Sequence, residues 1–315
     1  LVEDTIKQLR QKGLILKITD LDEYLSCHIV LSKDKRRAWL GQPHLIASIV
    51  NKIGSQIKGL HQYKTLGTSG LSSVRDVERV NPLSTEKHSM YRSGVGLLGY
   101  LVKHSRPDLA NMQRELSKSL DCPTEASYKE LLRGLKYVVD TKEFGLKIEP
   151  SLSNVNEPWR IVVYSDSDYA TDPDTRRSTS GYILYLREVP IAWKSKAQQS
   201  VSLSSTEAEW IALSEAVKEI KFVINLLESM QIKVNYPIKC RVDNIGAIFM
   251  SQNVTTTSRA KHIDIRTKFV REYVEDGKIK IVFVRSGDND SDIMTKNVQG
   301  DLHDKHSKKL IGKQH

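Results

Sequence analysis

The stretch RIVVYSDSDYA, residues 160–170, decides the fold of the second half of the chain. Its first segment, RIVVY, is apolar on both faces, as is typical of a central strand in a sheet that is covered on both sides. Asp166 follows this segment directly. Two further strands are predicted over 181–188 and 190–195, joined by a short turn. The three segments together predict an antiparallel meander with an acidic residue at the end of its first strand.

The rest of this half alternates helices with strands. The predicted elements are a long helix over 205–230, strands over 238–242 and 278–284, and helices over 244–251 and 261–275. The order β-β-β-α-β-α-α-β indicates an α/β fold, a mixed five-stranded sheet with helices on its faces. The polar stretch SLSNVNEP, residues 151–158, is the predicted boundary with the first half.

The first half, residues 1–150, is predicted to be mainly helical. Apolar spacing predicts helices over 3–12, 44–57, 91–103, 107–120 and 124–140, and strands over 14–18 and 24–31. Thr124 is a candidate cap for the last of these helices. The basic tail over 299–315 is expected to fray.

Composition narrows the class of partner. Lys and Arg number 48 against 38 Asp and Glu, a net charge of +10, which favours nucleic acid first and an anionic membrane second. The scattered Cys27, Cys122 and Cys240 support neither a disulfide framework nor a zinc site, so a reducing compartment is expected. No apolar run reaches the ~20 residues of a membrane span, and no signal peptide is seen. The chain starts at Leu1 and its first methionine is Met90, so we interpret it as a fragment of a longer protein or as the product of a truncated gene prediction.

Four acidic residues stand at the ends of predicted elements: Asp166, Glu209, Asp243 and Asp292. Strand ends and helix starts of such a sheet meet at one edge, where ligands usually bind. Four carboxylates gathered there would repel one another and would need cations, and Mg²⁺ prefers oxygen ligands and substrate phosphates. Two ions about 3.5–4 Å apart would clamp the attacking water and the leaving oxygen of a phosphodiester. Taken singly, each acid is also compatible with a solvated loop end or a turn cap.

Two glutamates, Glu207 and Glu209, compete for the helix position. Glu209 lies four residues before Leu213 and so shares the apolar stripe that faces the sheet. Glu207 lies on the opposite side, where it is a favourable charge at the helix start. A carboxylate on a buried face is unusual without a partner, so we assign the site to Glu209.

These segments resemble the ribonuclease H domain of copia-type retrotransposon Pol polyproteins. The runs that carry the resemblance are YSDSDYATDPDTRRSTSGYILYL (164–186), PIAWKSKAQQSVSLSSTEAEWIAL (190–213), VDNIGAI (242–248), KHIDIRTKFVRE (261–272) and SDIMTK (291–296). They occur in the family's order and spacing.

The first half resembles the C-terminal part of the reverse transcriptase of the same polyproteins, beyond the palm. The matching runs are ITDLDEYLSCHIVLS (18–32), YRSGVGLLGYLVKHSRPDLANMQRELS (91–117) and YKELLRGLKYVVDTKEFGLKI (128–148). The resemblance implies a thumb and connection region over 1–150, a ribonuclease H-like domain over 159–298 and a basic tail over 299–315. It covers the chain to within about twenty residues of its end.

The resemblance also implies the roles of the four acids. Asp166 would bridge two Mg²⁺ ions, for which Mn²⁺ can substitute, and Glu209, Asp243 and Asp292 would complete the metal site. Asp168 is the alternative to Asp166, and Asp288 and Asp290 are alternatives to Asp292. The implied reaction is attack by a metal-activated water on the RNA strand of an RNA–DNA hybrid, which leaves 3′-hydroxyl and 5′-phosphate ends. Selection of RNA would rest on contacts to the 2′-hydroxyl.

One departure from the family limits the expected activity. The sequence has no Asp-Asp dipeptide, so the catalytic pair of a polymerase palm is missing and this chain alone is not expected to polymerise. A decayed or co-opted module that binds nucleic acid without cutting it is the alternative. An integrase or transposase on the same fold is a further alternative, against which the four-acid pattern speaks. The family implies cytoplasmic particles and the nucleus as locations, and the rest of the reverse transcriptase as a partner.

Overall fold

The structure is a computed structural model that describes residues 2–16, 22–63, 65–67, 83–151, 157–246, 248, 261–298 and 300–314. In chain order the elements are α1 (Val2–Gln11), β1 (Glu23–Tyr24), β2 (Cys27–Leu31), β3 (Ala38–Gly41), α2 (Pro43–Ile57), α3 (Thr85–His104), α4 (Ala110–Ser117), α5 (Glu125–Asp140), β4 (Phe144–Ile148), β5 (Ile161–Asp168), β6 (Thr179–Leu186), β7 (Val189–Ala197), α6 (Ser205–Ser229), β8 (Ile238–Val242), α7 (Lys261–Glu275), β9 (Ile279–Phe283), α8 (Asp292–Thr295), α9 (Gly300–Leu310) and β10 (Ile311–Lys313).

The second half contains the mixed five-stranded sheet that the sequence predicts. Its strand order is β7-β6-β5-β8-β9, in which β5, β6 and β7 form an antiparallel meander. Strands β8 and β9 run parallel to β5. The predicted α/β fold with a mixed five-stranded sheet is therefore confirmed by strand order and direction. The predicted helix over 244–251 falls largely outside the described residues.

Helix α6 covers one face of this sheet with its apolar stripe. Leu213, Ala216 and Ile220 are fully buried, and the stripe continues through Val223 and Leu227. These residues recur every three or four positions, so they share one side of the helix and pack on the inner faces of β5, β6 and β8. Burying one such side chain contributes about 1.5–3 kcal/mol. The packing of this stripe fixes the orientation of α6 about its own axis, so that the first turns of the helix lie next to the end of β5.

The first half has the expected helices and, in addition, a sheet of its own. The predicted cap of α5 is present, because Thr124 and Ser127 form a reciprocal capping box. The single strand predicted over 24–31 is instead a hairpin of β1 and β2, which turns at Leu25 and Ser26 with φ of 50° and 61°. The strand predicted over 14–18 is absent from its described part, residues 14–16, and the remainder lies outside the described residues.

The tail, which was expected to fray, is instead ordered into a helix and a strand over most of its length. Residues 300–310 form helix α9, and β10 adds to the first sheet by antiparallel pairing with β4. Leu310 and Ile311 are buried, and the indole of Trp39 donates to the carbonyl of Gly312 at 3.0 Å. The tail's basic composition concealed these apolar contacts, which depend on a strand more than 160 residues earlier in the chain. Among the helices that the structure describes, none is both long and apolar enough to cross a membrane.

Candidate metal centre

Asp166 lies near the end of β5 on the face opposite to α6, and its side chain is buried. Its neighbour across the ladder is Gly181 of β6. A Cβ at position 181 would lie 2.7 Å from the Cβ of Met294 and 2.7 Å from the Cγ2 of Thr295. The missing side chain therefore lets the short helix α8 sit directly on the sheet beside Asp166.

Three of the four predicted acids meet at this place. Carboxylate oxygens of Asp166, Asp243 and Asp292 all lie within 4.8 Å of one another. Asp243 follows the last residue of β8, which runs parallel to β5, and Asp292 begins α8. Asp166 and Asp292 are buried, whereas Asp243 is partly exposed. The cluster thus has one side open to solvent, where a ligand could enter.

Glu209 reaches the same region from the first turns of α6. Its Oε1 accepts hydrogen bonds from the backbone N–H and the hydroxyl of Ser167, both at 3.0 Å. Its Oε2 is buried and has no hydrogen-bond partner among the described residues. Glu207 instead accepts from the backbone N–H of Leu203 at 2.9 Å, so it acts at the helix start. The geometry therefore places Glu209, and not Glu207, beside the three aspartates.

Burial and mutual repulsion raise the pKa values of these carboxyl groups. For Asp166 and Glu209, desolvation is the main cause of the raised pKa, and repulsion from Asp243 adds to it. Desolvation, followed by repulsion from Asp166, raises the pKa of Asp292 to about 7. Like charges that are held close together and away from water favour protonation or a bound cation.

Lys296 and Thr295 supply the compensating contacts within the chain. The ammonium of Lys296 lies 3.1 Å from Asp292 Oδ2 and 4.0 Å from Asp166 Oδ2. Burial acts to lower the pKa of Lys296, but Asp166 and Asp292 outweigh it and raise that pKa. The hydroxyl of Thr295 donates to Asp166 Oδ2. One partly exposed ammonium does not balance the cluster, and Asp292 Oδ1 remains buried without a hydrogen-bond partner among the described residues.

The alternative acids stand elsewhere. Asp290 is buried, but its carboxylate accepts from Lys309 at 2.7 Å and from the hydroxyl of Tyr185 at 3.3 Å. Asp288 is exposed and pairs with Lys305. Asp168 lies two residues beyond Asp166 and outside the group of three, and burial raises its pKa to about 6. Of the acids considered for the last position, Asp292 is the one that joins Asp166 and Asp243.

The donor set fits a hard divalent cation. It offers carboxylate oxygens, as Mg²⁺ and Mn²⁺ prefer, without a cysteine or histidine in the described group. The buried, unpartnered oxygens of Glu209 and Asp292 are the groups that a cation would satisfy. The arrangement is therefore suited to metal-assisted chemistry on a phosphate ester.

Comparison with known proteins gives several relatives, although no protein-family model matches the chain. The retrovirus-related Pol polyprotein from transposon RE2 of Arabidopsis thaliana is 35% identical over 206 residues, which are 65% of this chain and 14% of that protein. The corresponding polyprotein from transposon TNT 1-94 of Nicotiana tabacum is 29% identical over 318 residues, 94% of this chain and 23% of that protein. The secreted RxLR effector protein 161 of Plasmopara viticola is 41% identical over 133 residues, 42% of this chain and 90% of that protein.

The relatives of the chain include retrovirus-related Pol polyproteins from transposons. The chain spans 14% of the length of the RE2 polyprotein and 23% of the TNT 1-94 polyprotein. The solved structures to which the chain is similar include LC11-RNase H1 in complex with an RNA/DNA hybrid (13% identity, TM-score 0.34, 43% of this chain and 94% of that chain). Another is a foamy viral protease-reverse transcriptase with an RNA/DNA hybrid (10% identity, TM-score 0.41, 84% of this chain and 29% of that chain).

A buried arginine of the first half also reaches the site, which the sequence did not reveal. Arg114 of α4 donates through Nε to the hydroxyl of Ser195 at 2.9 Å and through Nη2 to the carbonyl of Thr295 at 3.4 Å. One turn away, Asn111 donates to the side chain of Asn297 at 2.9 Å. Helix α4 therefore holds the segment that carries Asp292. No signal in the sequence pairs these residues, because they are more than 80 positions apart.

Proposed function

We propose that this chain is a segment of a transposon Pol polyprotein and acts as a metal-dependent nuclease of the ribonuclease H type, which hydrolyses the RNA strand of RNA–DNA hybrids. The observation that carries the proposal is the convergence of Asp166, Asp243 and Asp292 around a partly open space, with Glu209 beside them. Similarity to retrovirus-related Pol polyproteins supports the same activity. Residues 1–150, 159–298 and 299–315 would be the reverse-transcriptase remnant, the nuclease domain and the tail.

The four acids would hold two Mg²⁺ ions, with Mn²⁺ as a substitute. When bound, such ions lower the pKa of water and neutralise charge on the phosphate. Asp166 and Asp292 are rigidly placed because β5 and α8 are packed against each other through Gly181. Ser167 orients the Glu209 carboxylate by donating two hydrogen bonds to one of its oxygens. The second oxygen of Glu209 is thereby left free to accept a further partner.

Lys296 would partly balance the charge of Asp166 and Asp292 in the metal-free protein, in place of a divalent ion. Its ammonium bridges Asp292 and Asp166 while no cation is bound, and its side chain is 41% exposed. A flexible, half-exposed ammonium can move aside at little cost when a divalent ion binds. In its displaced position it would meet the phosphate backbone of the substrate, to which lysine binds as a point charge.

Cleavage of a labelled hybrid tests this proposal. The purified chain is incubated with a duplex of end-labelled RNA and DNA, with Mg²⁺ and with a chelator. We expect cleavage of the RNA in Mg²⁺ alone, and its loss in Asp243→Asn. The matched control is Asp276→Asn, which removes an exposed acid at the end of α7 and should cleave at the normal rate.

The chemical ends of the products and the choice of substrate distinguish a ribonuclease H from an integrase, a transposase or a binding module. Ribonuclease H chemistry predicts 3′-hydroxyl and 5′-phosphate ends and no cleavage of plain DNA duplex. Cleavage of DNA duplex alone would instead favour an integrase or transposase. Normal cleavage by Asp243→Asn would show that the site is wrongly assigned. Tight binding of the hybrid without cleavage under any metal would favour a co-opted binding module.

A further inference from the structure

A cavity of about 500 Å³ opens on the same face of the mixed sheet as the acidic cluster, at the opposite ends of the strands. Val162 and Tyr164 line this cavity, and Asp166 follows on the same face because alternate residues of a strand share a face. Strands β4, β6 and β8 and helix α9 contribute further walls. The basic residues of the lining are Lys147, Arg160, Lys239, Arg241, Lys308 and Lys309.

The acids of the cavity do not neutralise these bases. Its three carboxylates already have partners: Glu149 pairs with Lys147, Glu188 pairs with Arg160, and Asp290 contacts Lys309, His306 and the hydroxyl of Tyr185. Lys239 and Arg241 have no carboxylate within ion-pair distance in the described part of the chain. Lys308 is exposed and only loosely paired, at 3.9 Å from Asp304. The cavity therefore has an excess of about three positive charges from these side chains.

Arg241 is the most informative of the three because it is half-buried and held in place. Its Nη1 donates to the hydroxyl of Tyr164 at 2.6 Å, and its guanidinium carbon lies 5.2 Å from the centre of that ring. Tyr164 is in turn fixed by an edge-to-face contact with Tyr185, with ring centres 5.8 Å apart. A partly desolvated guanidinium without an anionic partner is costly. Its planar fork matches the oxygens of a phosphate group.

The cavity is separate from the acidic cluster. Lys239 and Arg241 of β8 pair in register with Val162 and Tyr164 of β5. Along β5, Val162 lies four positions before Asp166, or roughly 13 Å, and Tyr164 lies two positions before it, or roughly 7 Å. The acidic cluster repels phosphates unless a cation is bound, whereas the cavity attracts them directly. Phosphate binding in the cavity should therefore not require a metal.

We propose that this cavity is an anion site for a phosphate group of a nucleic acid strand or a nucleotide. Arg241 and Lys239 are its main contacts, and Lys308 is an outer one. The site goes beyond the proposed nuclease and does not depend on it, because its residues lie outside the acidic cluster and its binding is independent of metal.

The test measures binding by the full chain in the presence of a chelator, so that the acidic cluster contributes nothing favourable. The probes are a fluorescent RNA–DNA hybrid, followed by anisotropy, and inorganic tripolyphosphate as a competitor. The cavity variants are Lys239→Gln/Arg241→Gln and, to preserve the contact of Arg241 with Tyr164, Lys239→Gln/Lys308→Gln. The matched control Lys221→Gln/Lys233→Gln removes the same charge from exposed positions elsewhere.

We expect each cavity variant to bind the hybrid about tenfold more weakly than the control at equal ionic strength. The slope of log affinity against log salt should also fall by about two, the number of phosphate contacts removed. If tripolyphosphate competes with the hybrid on the wild type but not on the variants, the site accepts free phosphates. If it does not compete, the ligand is the strand backbone. Hybrid affinities of both cavity variants equal to that of the control would overturn the proposal.

Discussion

The two halves of the chain bury charge in opposite ways. In the first half, Arg106 and Asp108 are both inaccessible to solvent and form a two-pronged ion pair with distances of 2.9 and 2.8 Å. Thr141 accepts two further hydrogen bonds from the same guanidinium. In the second half, Asp166 and Asp292 are buried beside another carboxylate, with one partly exposed lysine between them.

The difference separates a structural site from a functional one. Every buried charge in the first pair has an opposite partner and completed hydrogen bonds, so the pair is suited to fixing the start of α4 against α5. The acidic cluster keeps unpartnered buried oxygens on Glu209 and Asp292. Buried carboxylate oxygens without a partner are typical of functional sites, where a bound ligand supplies the missing contact. The four predictions below test this contrast, from the largest expected effect to the smallest.

Removal of Arg106 should cause the largest loss of stability. Arg106→Ala leaves the carboxylate of Asp108 buried without its counter-charge, which costs about 3–5 kcal/mol of the free energy of unfolding. Urea denaturation measures this loss. The control is Lys87→Ala, which breaks an exposed ion pair with Glu125 and should change stability little. Equal stability of the two variants would contradict a structural role for the buried pair.

The acidic cluster should make the metal-free protein less stable as pH rises. The pKa of Asp292 is about 7 in the folded chain, above its ordinary value of 3.8, so the folded state binds more protons between these values. This contribution to stability is present below pH ~4 and is lost as pH rises through ~7.

The size of this pH effect is on the order of 2 kcal/mol between pH 5 and 8. Urea unfolding in chelator should show that the stability of the wild type relative to Asp292→Asn falls across that range. Added Mg²⁺ should reverse the trend, because the ion binds the deprotonated carboxylates. A difference between the two proteins that does not vary with pH would argue against a repulsive cluster.

Neutralising one acid should have a smaller effect on stability and the opposite sign to that of Arg106→Ala. Asp166→Asn relieves repulsion and retains an oxygen that can accept from Thr295, so it should stabilise the metal-free fold by about 1 kcal/mol. It should also abolish cleavage. Thermal unfolding in chelator gives the measurement. A clear drop in melting temperature, with Asp276→Asn unchanged, would indicate that Asp166 is structural.

Loss of the Arg114 hydrogen bonds, which join the two halves of the chain, should have the smallest effect of the four changes. Arg114→Ala removes the hydrogen bonds to Ser195 and to the carbonyl of Thr295, so the segment that carries Asp292 is held less firmly. We expect cleavage to slow by about tenfold and Mn²⁺ to bind more weakly, with partial rescue in Arg114→Lys. Arg133→Ala, which loses hydrogen bonds to Thr65 in the first half, is the control. Unchanged metal affinity in Arg114→Ala would limit Arg114 to a role in stability.

Local patterns in the sequence predicted those helices and strands whose buried face is marked by the spacing of their own apolar residues. The apolar run over 160–164 predicted the central strand, and the stripe through Leu213 and Ile220 predicted which side of α6 bears Glu209. The strand β10 was not predictable in this way, because its pairing with β4 depends on packing between distant segments. The contacts of Arg114 and the place of Lys296 between two acids are likewise products of tertiary structure.

Calorimetric titration of Mn²⁺ into the metal-free chain tests most directly whether the acidic cluster is a metal centre. We expect saturable binding of up to two ions, the loss of this binding in Asp166→Asn, and normal binding in Asp276→Asn. Absence of saturable binding, or equal binding by Asp166→Asn and the wild type, would contradict this expectation.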